Sequence, residues 1–271
     1  MRLINRKPGR PLALFLLALP FLAVLLAYTI ASDLRRADNP KDKLLPAPAA
    51  IAATAERLVT TPDRRSDTIL FWSDTTISLQ RLGAGVGIAA AIGLIFGLAI
   101  GMLPYVRSTF AGFVNVLSMV PPLAILPILF IMFGLGESSK IALIAIGITP
   151  FLIRDLSQRV LEIPEEQVVK AQTLGATSLV IALRVALPQI MPRLVQAVRL
   201  SLGPAWLFLI AAEAIAADAG LGYRIFLVRR YLAMDIILTY VVWITALAFL
   251  MDYALKKLGE RAFPWFGKDG I

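Results

Sequence analysis

The sequence contains no cysteine and no histidine among its 271 residues. Without cysteine there is no disulfide, no thiolate metal site and no cysteine nucleophile. Without histidine the chain lacks the commonest general base and metal ligand of proteins, and it cannot form a Ser-His-Asp triad. These absences exclude most enzymatic chemistry, so we expect no catalytic residue and no metal site in this chain.

Charged residues are also scarce. They make up 17% of the chain, against about 25% in a typical soluble domain, while 58% of the residues are hydrophobic and the mean hydropathy is +0.77. This balance indicates a protein embedded in a lipid bilayer. The net charge of +9 fits basic loops on the cytoplasmic side better than it fits nucleic-acid binding, and we expect no nucleic-acid partner.

The first long apolar segment is an uncharged run over 12–31, preceded by four basic residues. A signal peptide is the alternative, but its apolar region has only about 7–15 residues. Because about 20 apolar residues cross the hydrocarbon, we interpret the run as a retained transmembrane helix with its N-terminus inside. A polar, charge-balanced segment follows as far as residue 78, with a short helix expected over 49–59.

Further uncharged segments predict five more spans. Two of them lie between Arg81, Arg107 and Glu137 and are long enough to cross a bilayer. Three shorter ones follow, at 141–153, 200–212 and 236–251. These need flanking residues that reach toward the interface. The expected fold class is therefore all-α, a polytopic membrane protein with six transmembrane helices and both termini cytoplasmic.

Glycines and prolines mark two of these spans. Gly93, Gly97 and Gly101 form a ladder of small residues on one helix face, where helix backbones can approach closely in lipid. We expect this face to pack within the protein core or at a subunit interface. The next span contains a Pro-Pro pair ending at Pro122, followed by Pro127, and should be kinked and buried against protein. A kinked helix can line a pathway, so Pro122 is a candidate pathway residue, with a purely structural kink as the equal alternative.

Two residues of the predicted fifth span are further pathway candidates. Glu213 interrupts an apolar run, and a carboxylate inside a membrane is costly and by default functional. Its alternative role is a hydrogen bond at a helix end or between helices near the outer interface. Trp206 presents an aromatic face that could stack on a planar substrate, and ordinary packing is its alternative.

The segment 161–194 has the pattern of two short helices joined by a turn. Glu165 and Glu166 complement the positive end of the first helix. Gly175 stands where a helix would end in the left-handed conformation, and the Thr-Ser pair that follows can cap a second helix. Exposed helices with apolar side chains need a surface to dock into.

This segment resembles the docking motif of the permeases of ATP-binding cassette (ABC) importers. That motif reads Glu-Ala-Ala, three residues, Gly, nine residues, Ile, one residue, Leu-Pro. Its Gly, Leu and Pro are present here at the same spacing, whereas its Glu-Ala-Ala is Val-Lys-Ala and its Ile is a Val. The resemblance implies that a separate ATPase docks on this loop through Glu165, Glu166, Lys170, Ala171, Gly175, Ala176, Leu187 and Pro188.

Four blocks elsewhere resemble the taurine/nitrate/sulfonate/bicarbonate group of ABC importer permeases. In chain order they read LLPAPAAI, SLQRLGAGVGIAAAIGLIFGLAIG, MVPPLAILPILFIMFGLGESSKI and LGPAWLFLIAAEAIAADAGLGYRI. The resemblance extends from about residue 44 onward. It implies the type I ABC importer permease fold, a permease homodimer in the inner membrane, two ATPase subunits and a periplasmic substrate-binding protein.

The apolar segments and the resemblance together predict how the chain is divided. Residues 1–78 hold a transmembrane helix and a periplasmic loop with a short helix. Residues 79–258 form the permease core with five transmembrane helices and a cytoplasmic coupling loop at 160–193. Residues 259–271 form a cytoplasmic tail. No Walker A motif occurs, so ATP and magnesium belong to the partner ATPase and this chain has no cofactor.

The substrate is expected to be a small polar nitrogen or sulfur compound. Nitrate, taurine and sulfonates are candidates from the group. Guanidine-like or urea-like compounds are also candidates, because some blocks look most like permeases encoded beside urea carboxylase-type enzymes. The rival class is an ion-coupled secondary transporter without an ATPase, which usually shows intramembrane charges and internal repeats.

Overall fold

The computed structural model describes residues 8–39, 42–63 and 67–266. These residues form helices and connecting turns, and none of the described residues lies in a strand. A 3₁₀ turn at Pro122–Ile125 precedes α5, and a π-helical turn at Ala182–Ala186 precedes α9. The α-helices are α1 (Arg10–Asp38), α2 (Pro48–Thr60), α3 (Leu70–Met102), α4 (Pro104–Leu117), α5 (Leu126–Phe133), α6 (Glu137–Leu161), α7 (Glu165–Thr173), α8 (Ser178–Ile181), α9 (Leu187–Ala216), α10 (Leu221–Arg229) and α11 (Met234–Ala262).

Five helical segments are long and apolar enough to cross a membrane: α1, α3, α6, the continuous α8–α9 segment and α11. The segments Pro104–Leu117 and Pro122–Phe133 make a sixth span if counted together, although their axes differ by 84°. The all-α class and the six spans are thereby confirmed. The predicted kink is a full break, because neither proline of the Pro-Pro pair has an amide hydrogen to donate.

The glycine ladder packs α3 against α6. A Cβ added to Gly93 would lie 2.7 Å from the Cβ of Leu152, and one added to Gly97 would lie 2.7 Å from the Cβ of Leu156. Gly101 continues the same contact farther along both helices. Residue numbers rise together on the two helices, so α3 and α6 run parallel and the broken span must cross back between them. Of the two predicted roles, the ladder has the core-packing one.

The remaining helices are attached to this pair in different ways. α9 runs antiparallel to α6, with its Phe208 ring against Gly147 and its Ile190 packed with Leu156. α2 is fixed to the start of α11 by Thr54, whose Oγ1 donates to Asp235 Oδ2 at 2.7 Å. In α1 none of the most apolar stretch is buried, so its side chains face the surroundings of the subunit.

Two expected boundaries fall inside helices. α3 begins at Leu70, so the boundary at 78 lies within its first turns. α11 extends to Ala262, so the boundary at 259 lies within its last turn. Both helix ends contain charged and polar side chains, so the uncharged runs of the sequence stop before the helices do. Residues 267–271 of the expected tail lie outside the described residues.

Candidate functional site

The coupling loop has the predicted form of two helices joined at a glycine. α7 begins after Pro164 with Glu165 and Glu166 in its first turn. Gly175 has φ of +81°, the left-handed region that favours glycine. The amide of Ala176 donates to the carbonyl of Ala171 at 3.0 Å, which closes the end of α7. The bend between the two arms is therefore set by local hydrogen bonding around one glycine.

The second arm joins α9 without a loop. The Thr177 side chain accepts a hydrogen bond from the Val180 amide and caps α8. The π-helical turn follows, and Pro188 lies in the first turn of α9. A wide turn before a proline relieves the clash of its ring with the preceding turn. α8 and α9 are thus joined by continuous helical backbone.

Most of the coupling loop lies at the surface. Leu174 is 88% exposed and Leu179 is 68% exposed, and α7 has no buried residue. Exposed apolar side chains grouped in this way mark an interaction surface. Gln189 Nε2 donates to Gln167 Oε1 at 2.9 Å and braces α7 against the start of α9. The predicted docking residues of this loop are exposed or half-buried: Glu165, Glu166, Lys170, Ala171, Gly175, Ala176, Leu187 and Pro188.

Pro122 lies at the break in the third span. It lines a pocket of about 140 Å³ together with Ser118, Pro150 and Phe208. Pro150 lies near the middle of α6, so the break is at mid-depth in the bundle. Met119, within the break, is 76% exposed. At membrane depth, non-helical backbone is tolerated only where protein covers it or where it lines a water-filled cavity.

Trp206 lies inside the helix bundle. Its side chain is buried in the main apolar cluster, beside residues such as Leu209 and Ala205. Its indole nitrogen is buried without a hydrogen-bond partner among the described residues. The structure thus places Trp206 in a packing position rather than on an open face.

Glu213 is fully buried, and both of its carboxylate oxygens accept hydrogen bonds. Its Oε1 accepts from Ser78 Oγ at 2.7 Å and from Arg81 Nη1 at 2.7 Å, and its Oε2 accepts from the Gly222 amide at 2.8 Å. Because ionised carboxylates are tolerated inside a membrane only when paired, these contacts explain why the residue can lie there. The structure shows the inter-helix hydrogen bonding that was the alternative role of Glu213.

Arg81 is the residue that the sequence analysis missed. It is 4% exposed and also donates from Nη2 and Nε to both oxygens of Glu137, at 2.6 and 2.5 Å, and from Nη1 to the carbonyl of Ala219 at 2.8 Å. One guanidinium therefore ties α3, α6, α9 and the loop before α10. Arg81 and Glu213 each border an uncharged run at the same end of the bundle, which is the signal that could have paired them.

A second ion pair holds the loop between α9 and α10. Asp74 accepts from the Gly220 amide at 2.8 Å and from Arg224 Nε at 2.7 Å, and Ser78 Oγ accepts from the Leu221 amide at 2.9 Å. Burial works against the charge of Arg224, but the Asp74 carboxylate outweighs it and raises the pKa of the guanidinium. We call the five charged residues of this region the ion cluster: Asp74, Arg81, Glu137, Glu213 and Arg224.

Comparison with known proteins gives a family and a fold. Residues 83–263, about two thirds of the chain, match the family described as binding-protein-dependent transport system inner membrane component. The taurine transport system permease protein TauC of Escherichia coli (strain K12) is 34% identical over 197 residues, which are 73% of this chain and 72% of that protein. The putative aliphatic sulfonates transport permease protein SsuC of Bacillus subtilis (strain 168) is 27% identical over 269 residues, which are 97% and 92%.

Among solved structures, an inward-facing MetNI methionine ABC transporter contains a similar chain. The TM-score is 0.64 at 22% sequence identity, over 71% of this chain and 95% of that one. At this identity the likeness shows the fold, and the predicted ABC importer permease fold is confirmed. The relatives also confirm the predicted group of permeases.

Proposed function

Because the chain belongs to the family of binding-protein-dependent transport system inner membrane components, we propose that it forms the translocation pathway of an ATP-driven importer. A separate ATPase docks on the coupling loop and hydrolyses ATP, and a periplasmic binding protein delivers the solute. The observation that carries this proposal is the exposed, glycine-bent loop that continues without interruption into α9. Two rigid arms with apolar side chains at their surface are suited to transmit movement of a docked partner.

The contacts of the helix ends support an orientation of the chain in the membrane. Near the end of α1, Tyr28 and Ser32 donate to the carbonyls of Pro46 and Leu45, just before α2, and α2 is fixed to the start of α11. α1 therefore begins at the coupling-loop end of the bundle, where Phe266 also lies under the Arg193 guanidinium. ATP is cytoplasmic, so we place the coupling loop and both ends of the described chain in the cytoplasm and the ion cluster on the periplasmic side.

The turn at Gly175 gives a direct test of ATPase docking. In Gly175→Leu a branched side chain must adopt the left-handed conformation, which costs about 1–2 kcal/mol, so we expect about a tenfold or greater loss of solute uptake. Gly175→Asn is the matched control, because asparagine tolerates this conformation. Copurification with the ATPase and uptake in intact cells should both fall in the leucine variant and persist in the asparagine variant.

The alternatives give different results in the same experiment. If the chain were an ion-coupled secondary transporter, no ATPase would copurify with the unmodified protein. If both variants transported normally and kept the ATPase, the coupling loop would not act as a lever. Membrane levels of the variants, measured on the same samples, separate these results from a failure to insert.

The break in the third span supports a homodimer. Residues 119–121 are exposed at mid-depth, where lipid offers no partner to carbonyls that lack one in the helix. We therefore place a second copy of the chain and the aqueous pathway against residues 118–121. The natural chain has no cysteine, so Met119→Cys introduces a single thiol. It should form a disulfide-linked dimer or react with a polar maleimide, whereas Leu17→Cys on the apolar face of α1 should do neither. Equal behaviour of the two variants would exclude this placement.

For the substrate we propose a small sulfonate or a related nitrogen or sulfur compound. The named relatives are permeases for taurine and aliphatic sulfonates. A guanidinium-like cation would pair with a free carboxylate, but the carboxylate of Glu213 is bonded to Arg81. With that carboxylate occupied, the sulfonate relatives are the stronger guide to the chemistry of the solute.

A further inference from the structure

A second pocket of about 140 Å³ lies between α4 and α6, on the coupling-loop side of the break. Its apolar wall is the small cluster of Ile100, Val114 and Ile153. No carboxylate is among its lining residues. Its polar lining consists of Arg107, Asn115, Arg154, Ser157 and Gln158.

Arg107 is held in place by the end of α3. Its Nε donates to the carbonyl of Ile100 at 3.1 Å, and its Nη2 donates to the carbonyl of Gly101. These are among the last carbonyls of α3, which have no partner within the helix. A guanidinium has five N–H donors, so Arg107 keeps further donors while its position is fixed. A fixed cation loses little freedom when it binds an anion.

Arg154 supplies a second positive charge without a partner. No hydrogen bond or ion pair of its side chain occurs within 8–39, 42–63 and 67–266. The neighbouring acidic residues serve another arginine, because Asp155 and Glu162 lie 3.7 and 3.0 Å from nitrogens of Arg159. Arg154 and Arg107 therefore line one pocket with no carboxylate to neutralise them.

We propose that this pocket binds a small oxyanion group. Two guanidinium groups and two side-chain amides match the acceptor oxygens of a sulfonate, sulfate or phosphate. The group could belong to the transported solute as it leaves the pathway or to the headgroup of a phospholipid. Only the first source rests on the proposed function, and binding itself does not.

The test uses the full chain in nanodiscs of phosphatidylcholine, with inorganic sulfate as the probe. Sulfate should raise the midpoint of thermal unfolding saturably, and potassium chloride at equal ionic strength should not. We expect Arg154→Gln to abolish the shift and Arg261→Gln to keep it, because Arg261 is exposed at the end of α11 and outside the pocket. Arg154 is replaced rather than Arg107, because Arg107 also bonds the last carbonyls of α3 and its replacement would disturb the end of that helix.

The source of the anion is tested in nanodiscs that contain phosphatidylglycerol. A headgroup ligand is indicated if these lipids remove the sulfate shift and copurify with the natural chain but not with Arg154→Gln. A solute ligand is indicated if the shift persists there, taurine reproduces it, and Arg154→Gln lowers uptake while the ATPase still copurifies. The proposal is overturned if sulfate gives no saturable shift, or if the shift is the same in both variants. Loss of ATPase copurification from the natural chain would instead argue against the proposed function.

Discussion

The two ends of the α3–α6–α9 bundle are built in opposite ways. At the end that holds the ion cluster, Asp74, Arg81 and Glu213 are buried and bonded, and they hold the loop before α10 against α3. At the end that holds the coupling loop, α7 has no buried residue and Leu174 is almost fully exposed. The charges of the ion cluster are paired with one another within one chain. The coupling loop instead leaves apolar side chains exposed. Substitutions should therefore change folding at one end and coupling at the other.

The largest effect is expected at Arg81. Arg81→Leu leaves Glu213 buried beside an apolar side chain, and breaking a buried pair in this way costs about 3–5 kcal/mol. We expect severe loss of folded protein, measured by size-exclusion chromatography in detergent and by thermal unfolding. The double variant Arg81→Leu/Glu213→Leu removes both charges and should recover much of that stability. A single variant as stable as the natural protein would show that the cluster does not hold the helices together.

A matched pair of glycines should give the next largest difference. Gly220 has φ of +122°, and an added Cβ would overlap the Glu213 carboxylate, whereas a Cβ on Gly175 meets no atom within 4 Å. Gly220→Ala should therefore cost about 2–4 kcal/mol from strain and overlap, and Gly175→Ala only about 1–2 kcal/mol. Thermal unfolding of the two variants measures the difference. Equal destabilisation would mean that the two ends are equally rigid.

The smallest effect on stability is expected at Leu174. Because this side chain is exposed, Leu174→Ser should change the free energy of unfolding by less than about 0.5 kcal/mol. The same change removes an apolar contact of the coupling loop, so ATPase copurification and ATP-driven uptake should fall. A variant that unfolds at the natural temperature and still binds the ATPase fully would remove Leu174 from the docking surface.

Local signals made the coupling loop predictable. Pro164, the two glutamates and Gly175 each determine backbone geometry within a few residues, so α7 and its end follow from the chain itself. The membrane spans were predicted from the lengths of the uncharged segments, and the Pro-Pro pair indicated the site of the break. In each case the deciding interaction lies within one turn or one helix.

The ion cluster could not be predicted in the same way. Arg81 and Glu213 are 132 residues apart, and their pairing depends on both lying at the same depth on adjacent helices. Sequence alone indicated that Glu213 needed an explanation but not which residue provides it. The ladder of Gly93, Gly97 and Gly101 was visible as a spacing within one helix, whereas the helix that packs against it, α6, could not be identified from that spacing. Trp206 was likewise a candidate for stacking on a substrate, but the packing of α9 buries its side chain.

The π-helical turn before Pro188 has a consequence for how this subunit can change over time. Such a turn holds one residue more than an α-helical turn, and each residue of an α-helix corresponds to a rotation of about 100°. Because the wider turn takes up the extra residue, deleting one residue between Ala182 and Ala186 would restore an α-helical turn and would not rotate the coupling loop by that angle. This turn can therefore lose a single residue over evolution while the coupling loop keeps its direction relative to α9.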